Sequence, residues 1–170
     1  VGGLLQTAAG AVDANLLINS DLDFKRTYSG GVKSENLNLG KLLGDSKFGH
    51  VQFNVDLEGF NYNDKYPESY IKGIVSSFDY SGYRYENISL DGIYKDGGFN
   101  GHLALDDENG KVRIDGSFNI AEKISDFNLY ATIQNLRLDK LNLSDKYIDS
   151  DISFNLNADF TGSSIDDVNG

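Results

Sequence analysis

Few residues of this 170-residue chain have the type and spacing that enzyme catalysis requires. His50 and His102 are its only histidines, and neither has a serine or an acid at a recognisable motif spacing. The sequence also lacks cysteine, a Gly-x-Ser-x-Gly elbow and a phosphate-binding loop. We therefore expect no catalytic residue, no cofactor and no enzymatic activity.

Two acid-rich segments are candidates for cation binding. Residues 106–110 read Asp-Asp-Glu-Asn-Gly, and residues 166–170 read Asp-Asp-Val-Asn-Gly. Both lack the flanking helices and the ligand spacing of an EF-hand. Turns of this composition connect strands without a metal, so we expect polar turns at these segments and no metal site.

The tyrosines cluster in one part of the sequence. Between residues 62 and 94 lie seven of the ten tyrosines, namely Tyr62, Tyr66, Tyr70, Tyr80, Tyr83, Tyr85 and Tyr94. Aromatic side chains grouped on a surface can bind a glycan or a protein, although tyrosine is also an ordinary strand residue. A surface β-sandwich module that binds a glycan or a protein through these tyrosines is therefore an alternative hypothesis.

The dominant pattern is an alternation of apolar and polar residues, for example over residues 51–58, 127–133 and 154–161. Because successive side chains of a strand point to opposite faces, each run has one apolar and one polar face. The residues predicted to share one apolar face are Val51, Phe53, Val55, Leu57, Leu103, Leu105, Val112, Ile114, Phe118, Ile120, Phe127, Leu129, Ile133, Phe154, Leu156 and Phe160. Such a face either fills the core of a closed β-sandwich or lines an open groove in which phospholipid acyl chains lie.

The spacing of these runs predicts about nine long strands and no long helix. Residues 95–98 and 107–110 have the composition of hairpin turns. Residues 139–149 form a longer connection, and short helical turns are expected at residues 39–43 and 138–143. The sequence therefore favours neighbouring antiparallel strands joined by short turns.

The charge and the apolar segments restrict the partners. The net charge is −11, so the surface repels a nucleic-acid backbone and we expect no nucleic-acid partner. The uncharged stretch at residues 1–12 is too short to span a bilayer and lacks the basic start of a secretory signal. Any membrane anchor or export signal is expected outside this segment.

An imperfect repeat relates two parts of the chain. Residues 36–59 begin Asn-Leu-Asn-Leu-Gly-Lys-Leu, and residues 135–162 begin Asn-Leu-Arg-Leu-Asp-Lys-Leu. In each copy a short polar loop and an alternating strand follow, and the copy ends near Gly59 or at Gly162. Repeats of a strand module favour an extended, stacked architecture. We therefore interpret residues 1–170 as a single segment of a longer repetitive β protein.

The spacing of strands and turns along the chain resembles that of a known family. Residues 98–116, Gly-Phe-Asn-Gly-His-Leu-Ala-Leu-Asp-Asp-Glu-Asn-Gly-Lys-Val-Arg-Ile-Asp-Gly, resemble the periplasmic repeat region of the TamB and AsmA-like family. Residues 133–143, Ile-Gln-Asn-Leu-Arg-Leu-Asp-Lys-Leu-Asn-Leu, resemble it too, and the close on Thr161-Gly162 is similar to the end of a module. The resemblance extends over residues 30–170 and lies in the spacing of strands and turns rather than in an invariant motif.

The resemblance implies a location and a function. Members of the family lie in the periplasm of Gram-negative bacteria, anchored in the inner membrane, and form a long β-groove implicated in phospholipid transport to the outer membrane and in its assembly. An outer-membrane barrel partner is expected to bind through regions absent from this segment. We predict an all-β fold of long, mostly antiparallel strands in a curved, folded-over sheet with an apolar groove. The alternative is a closed β-sandwich.

Overall fold

A single antiparallel sheet makes up almost the whole molecule. The computed structural model describes residues 2–20, 25–62, 68–119 and 125–162, and 78% of these residues are in strands. Ten strands pair in the order in which they follow one another along the chain, each antiparallel to the next. The sheet does not close into a barrel.

The strands are long, as the alternating runs predict. Their bounds are β1 (Gly2–Thr7), β2 (Gly10–Ser20), β3 (Lys25–Asn38), β4 (Phe48–Tyr62), β5 (Glu68–Tyr80), β6 (Tyr83–Lys95), β7 (Gly98–Asp107), β8 (Gly110–Asn119), β9 (Ser125–Leu136) and β10 (Ile152–Gly162). One short helix, α1 (Leu39–Leu43), connects β3 to β4. No helix in the described part of the chain is long and apolar enough to span a membrane.

The predicted fold class is confirmed, and the described residues form one open sheet rather than the two sheets of a closed β-sandwich. The short helix at residues 39–43 and the hairpin turns at residues 96–97 and 108–109 lie where the sequence predicts them. The strand count is higher than expected, because the chain from Gly2 to Thr7 forms a strand of its own. Residues 138–142 form hydrogen-bonded turns, which agrees with the short helical turn expected there.

Glycines allow neighbouring strands to come unusually close along the apolar side of the sheet. A Cβ atom added at Gly101 on β7 would lie 2.5 Å from the Cα atom of Gly92 on β6, and one added at Gly73 on β5 would lie 2.6 Å from the Cα atom of Val55 on β4. No other residue type permits these approaches, and glycine positions of this kind are where sheets bend. These positions are consistent with a curved sheet.

The two ends of the sheet differ. At one end, which we call the cap end, α1 and the connection of residues 137–151 join the strands. At the other end, which we call the phenylalanine end, the strands carry a row of aromatic rings and β6 turns into β7 at residues 96–97. Both buried clusters lie at the cap end and are built on Ala9, Leu37 and Val51 and on Tyr85, Leu136 and Leu141.

The two copies of the imperfect repeat adopt related local structures at the cap end. In the first copy, β3 ends next to the buried Leu37, and α1 follows with Asn38 as its N-cap, whose Oδ1 accepts from the amide of Lys41 at 2.8 Å. In the second copy, β9 ends at the buried Leu136, and residues 137–151 follow. Each copy is therefore a strand, a capping segment and the next strand.

Candidate functional site

The register of the sheet places the predicted apolar residues on one face. Directly paired residues of neighbouring strands share a face, and the pairs connect Val55 on β4 through Gly73 to Leu90 on β6, and Leu90 through Leu103 to Ile114 on β8. The same registers place all the other predicted groove residues on this face, except Ile120, which lies outside the described residues. We call this surface the apolar face.

A row of aromatic rings crosses the apolar face at the phenylalanine end. Phe99, Phe118, Phe127 and Phe160 are paired successively across β7 to β10. Their ring centroids are 5.7 Å, 6.5 Å and 4.8 Å apart, and each pair is stacked. Tyr94 on β6 extends the row by one strand. The row runs perpendicular to the strands, from one strand to the next.

Much of the apolar face is exposed. Leu103 on β7 and Phe118 on β8 retain 40% and 39% exposure, and Phe154 and Leu156 on β10 retain 45% and 41%. The accessible surface of the whole molecule is 11382 Å², whereas a compact monomer of this mass exposes roughly 8300 Å². At the phenylalanine end, no second sheet or helix of the described residues covers the face.

The apolar face contains more residues than the predicted groove. The registers add Leu16, Val32, Ile71, Leu90 and Phe99 to it. Alternation around Leu90 and Phe99 signals their membership, but glycines interrupt the pattern on β3 and β5. Membership of such residues follows from cross-strand pairing, which the sequence of a single strand does not contain.

The alternation also fails where β6 approaches the cap end. Tyr85 and Ile88 are three residues apart, and strand geometry predicts opposite faces for them. Both nevertheless belong to the same buried cluster, because Asn87 between them has a φ of 55° and shifts the alternation by one residue. The sequence prediction therefore missed the contribution of Tyr85 to the apolar side.

The opposite face carries a ladder of charged groups. Asp56, Lys72, Asp91, His102 and Asp115 are paired in succession from β4 to β8. The Nζ atom of Lys72 lies 3.0 Å from Oδ2 of Asp91. The hydroxyl of Tyr70 donates to Asp91 at 2.7 Å, and this hydrogen bond together with Lys72 lowers the pKa of that carboxyl. We call the surface that carries this ladder the polar face.

Both histidines lie on the polar face. His102 on β7 contacts the carboxylate of its cross-strand neighbour Asp115. His50 on β4 lies 4.0 Å from the carboxylate of Asp79 and 3.2 Å from the side-chain amide nitrogen of Asn38. The sheet order separates the two histidines by two intervening strands. The structure does not bring them together into one site.

The acid-rich segment of residues 106–110 forms the turn between β7 and β8. Asp107 is 6% exposed, and its carboxylate accepts from the hydroxyl of Tyr83 at 2.6 Å, the backbone amide of Asn109 at 2.9 Å and the backbone amide of Glu86 at 3.3 Å. The side chain therefore supports the turn. No group of three metal-ligating side chains occurs within the described ranges, and residues 166–170 lie outside them.

The tyrosines of residues 62–94 are divided among different surfaces. Tyr70 lies on the polar face, Tyr94 lies on the apolar face, and a third group of tyrosines packs with Phe48 and Phe78 at the cap end. That third group is Tyr80, Tyr83 and Tyr85. Tyr62 is the last residue of β4, and Tyr66 lies outside the described residues. The described tyrosines thus form no single platform.

Residues 137–151, which we call the strap, lie over the apolar face at the cap end. Leu141 in the strap has 0% exposure and packs in the cluster of Tyr85 and Leu136. The hydroxyl of Tyr85 donates to the carbonyl oxygen of Leu141 at 2.7 Å, and the side-chain amide of Asn142 donates to the carbonyl oxygen of Ser81 at 3.1 Å. The apolar face is therefore covered at the cap end.

Comparison of the chain with protein-family models, curated proteins and solved structures finds no match.

Proposed function

We propose that the apolar face binds phospholipid acyl chains, and that the chain is a segment of a TamB-like periplasmic protein that conducts phospholipid towards the outer membrane. One observation carries the proposal. The apolar side chains continue from strand to strand across the sheet, and the described residues leave them uncovered towards the phenylalanine end.

A surface of this kind calls for an apolar partner. A sheet normally buries its apolar face against another layer of the same domain. Monomeric soluble proteins rarely expose contiguous apolar patches larger than a few hundred Å². Hydrocarbon satisfies the face without a second protein layer, since each methylene removed from water contributes about 0.8 kcal/mol.

The distribution of charge supports the same ligand. Lys72 and Asp91 on the polar face form an ion pair, and Glu68 pairs with Lys95 near the phenylalanine end. These charges keep one face in water, so an amphipathic ligand would place its acyl chains on the other face and its headgroup at the rim. The phenylalanine row runs across the strands, so acyl chains could lie along it from one strand to the next.

The wider role rests on the resemblance of residues 30–170 to the TamB and AsmA-like family. It comprises a periplasmic location, an inner-membrane anchor, phospholipid transport and outer-membrane assembly with a barrel partner. The anchor and the partner-binding region would lie outside this segment. Sheet growth by further strands of the same kind would extend the apolar face across the periplasm.

Lipid occupancy can be measured directly. The chain is exported to the periplasm of a Gram-negative host, purified without detergent and examined by mass spectrometry for bound phospholipid. In the Leu103→Asp variant, water can hydrate the new carboxylate when no lipid is bound, because Leu103 is 40% exposed. Bound acyl chains would strip that water from an unpaired charge, which is strongly unfavourable. We expect the variant to fold and to lose its phospholipid.

The matched control is Ala104→Asp. Ala104 is the next residue of β7, so it lies on the polar face, and it is paired with Arg113 on β8. The control adds the same charge to the same strand and should retain wild-type phospholipid. A wild-type chain without phospholipid, or a Leu103→Asp chain that carries as much as the control, would contradict the proposal.

A further inference from the structure

We propose that the strap holds the sheet in its curved form by tying β9 to the cap ends of β5 and β6. The proposal concerns the shape of the sheet and does not depend on the ligand of the apolar face. It rests on the length of the strap, the burial of Leu141 and two hydrogen bonds.

The strap crosses the intervening strands by a short path. Three strand spacings separate β9 from β6, which amount to about 14 Å in a flat sheet. The amide of Leu141 donates to the carbonyl of Arg137 at 3.0 Å, and a turn with this bond advances only about 6 Å. The strap therefore reaches from β9 across β8 and β7 to the side chain of Tyr85 on β6.

The burial of Leu141 ties the strap to several strands. Leu141 has 0% exposure, because it lies between the sheet and other residues of its cluster such as Leu138 in the strap. Its cluster draws residues from four successive strands, namely Ile88 on β6, Leu105 on β7, Val112 on β8 and Ile133 on β9. Flattening the sheet would separate these residues and expose Leu141 to water.

Two hydrogen bonds fasten the far side of the strap. The hydroxyl of Tyr85 reaches the carbonyl oxygen of Leu141 in a buried position, and Asn142 binds the carbonyl oxygen of Ser81 in the turn between β5 and β6. A buried carbonyl without its donor is unfavourable. Release of the strap should therefore relax the curvature of the sheet at the cap end.

Distances between spin labels test this coupling. Ser69 on β5 and Ala158 on β10 are small residues of the apolar face away from the strap contacts, and the chain has no cysteine of its own. Double electron–electron resonance on the Ser69→Cys/Ala158→Cys protein gives the distance between them. We expect Leu141→Ser to lengthen and broaden this distance towards the roughly 24 Å that five spacings span in a flat sheet.

The matched control is Leu143→Ser, because Leu143 belongs to the same strap but is 48% exposed. It should leave the distance unchanged. A folded Leu141→Ser protein with the unchanged distance would overturn the proposal.

A second variant covers the case in which Leu141→Ser does not fold. Tyr85→Phe/Asn142→Ala keeps Leu141 and removes both hydrogen bonds of the strap. Circular dichroism tests whether this variant is folded. A broadened and longer distance supports the proposal, and an unchanged distance overturns it.

Discussion

The alkaline stability of the protein should depend on one buried tyrosine at the cap end. Burial raises the pKa of Tyr85 from 10.0 to about 12, and the neighbouring Tyr83 ring, 4.8 Å away, adds to the increase. The phenol donates to the carbonyl oxygen of Leu141, and a phenolate has no proton to donate. Ionisation of Tyr85 should therefore loosen the strap.

The sign and the size of the effect follow from the two pKa values. The folded pKa lies above the unfolded one, so the stabilisation is fully present below pH 10 and is lost as the pH rises through about 12. Two pH units at about 1.36 kcal/mol each set an upper limit of roughly 2.7 kcal/mol. Because solvent screens charges at the end of a sheet, we expect a loss of about 1–2 kcal/mol.

The Tyr85→Phe variant isolates this contribution. At neutral pH it should be less stable than the wild type by about 1–2 kcal/mol, since the carbonyl of Leu141 loses its donor. Tyr70 and Tyr83, whose pKa values are also raised, titrate in both proteins. The difference between the two proteins should therefore shrink as the pH rises from about 10 to about 12.

Urea unfolding followed by circular dichroism measures the free energy of unfolding of both proteins at a series of pH values. Converging curves agree with the prediction. Curves that stay parallel up to about pH 12 would refute the reasoning, because they would show that Tyr85 titrates alike in the folded and unfolded chain.

Three further measurements follow from the fold. Leu141→Ala should lower the free energy of unfolding by about 2–5 kcal/mol, whereas Leu143→Ala, at a half-exposed position, should lower it by less than about 1 kcal/mol; similar losses would argue against the cluster. Gly101→Ala should be strongly destabilising, because its methyl group would meet the backbone of β6, whereas Gly3→Ala enters open space and should leave the melting temperature nearly unchanged. Small-angle scattering should give a radius of gyration above the roughly 15–16 Å of a compact domain of this length, and a value in that range would contradict an open sheet.

The candidate site could be predicted from the sequence as a set of residues but not as a surface. Alternation over residues 51–58 and 127–133 identified Phe53 and Leu129 as members of one face, and the registers agree. The cap-end cluster was not predicted, because Tyr85 enters it through an irregular residue, Asn87, and Leu141 enters it from a connection far along the chain. Neither Tyr85 nor Leu141 therefore belongs to a periodic pattern in the sequence that would reveal the cluster.

The sequence by itself determined the fold class and the two-sided character of the strands. Both follow from the geometry of an extended chain, in which side chains alternate between faces, and from turn residues such as Asp96-Gly97 that adopt positive φ angles. These are local properties, and a local pattern is sufficient to specify them.

The tertiary structure alone decided whether the apolar face is closed or open. A sandwich core and an open face require the same alternation, so the difference lies in how the strands pair and bend. Here each strand pairs with the next, the neighbouring backbones leave no room for a side chain at Gly73 and Gly101, and the strap covers the cap end. The curvature of the sheet results from many long-range contacts between strands, and no single stretch of sequence specifies it.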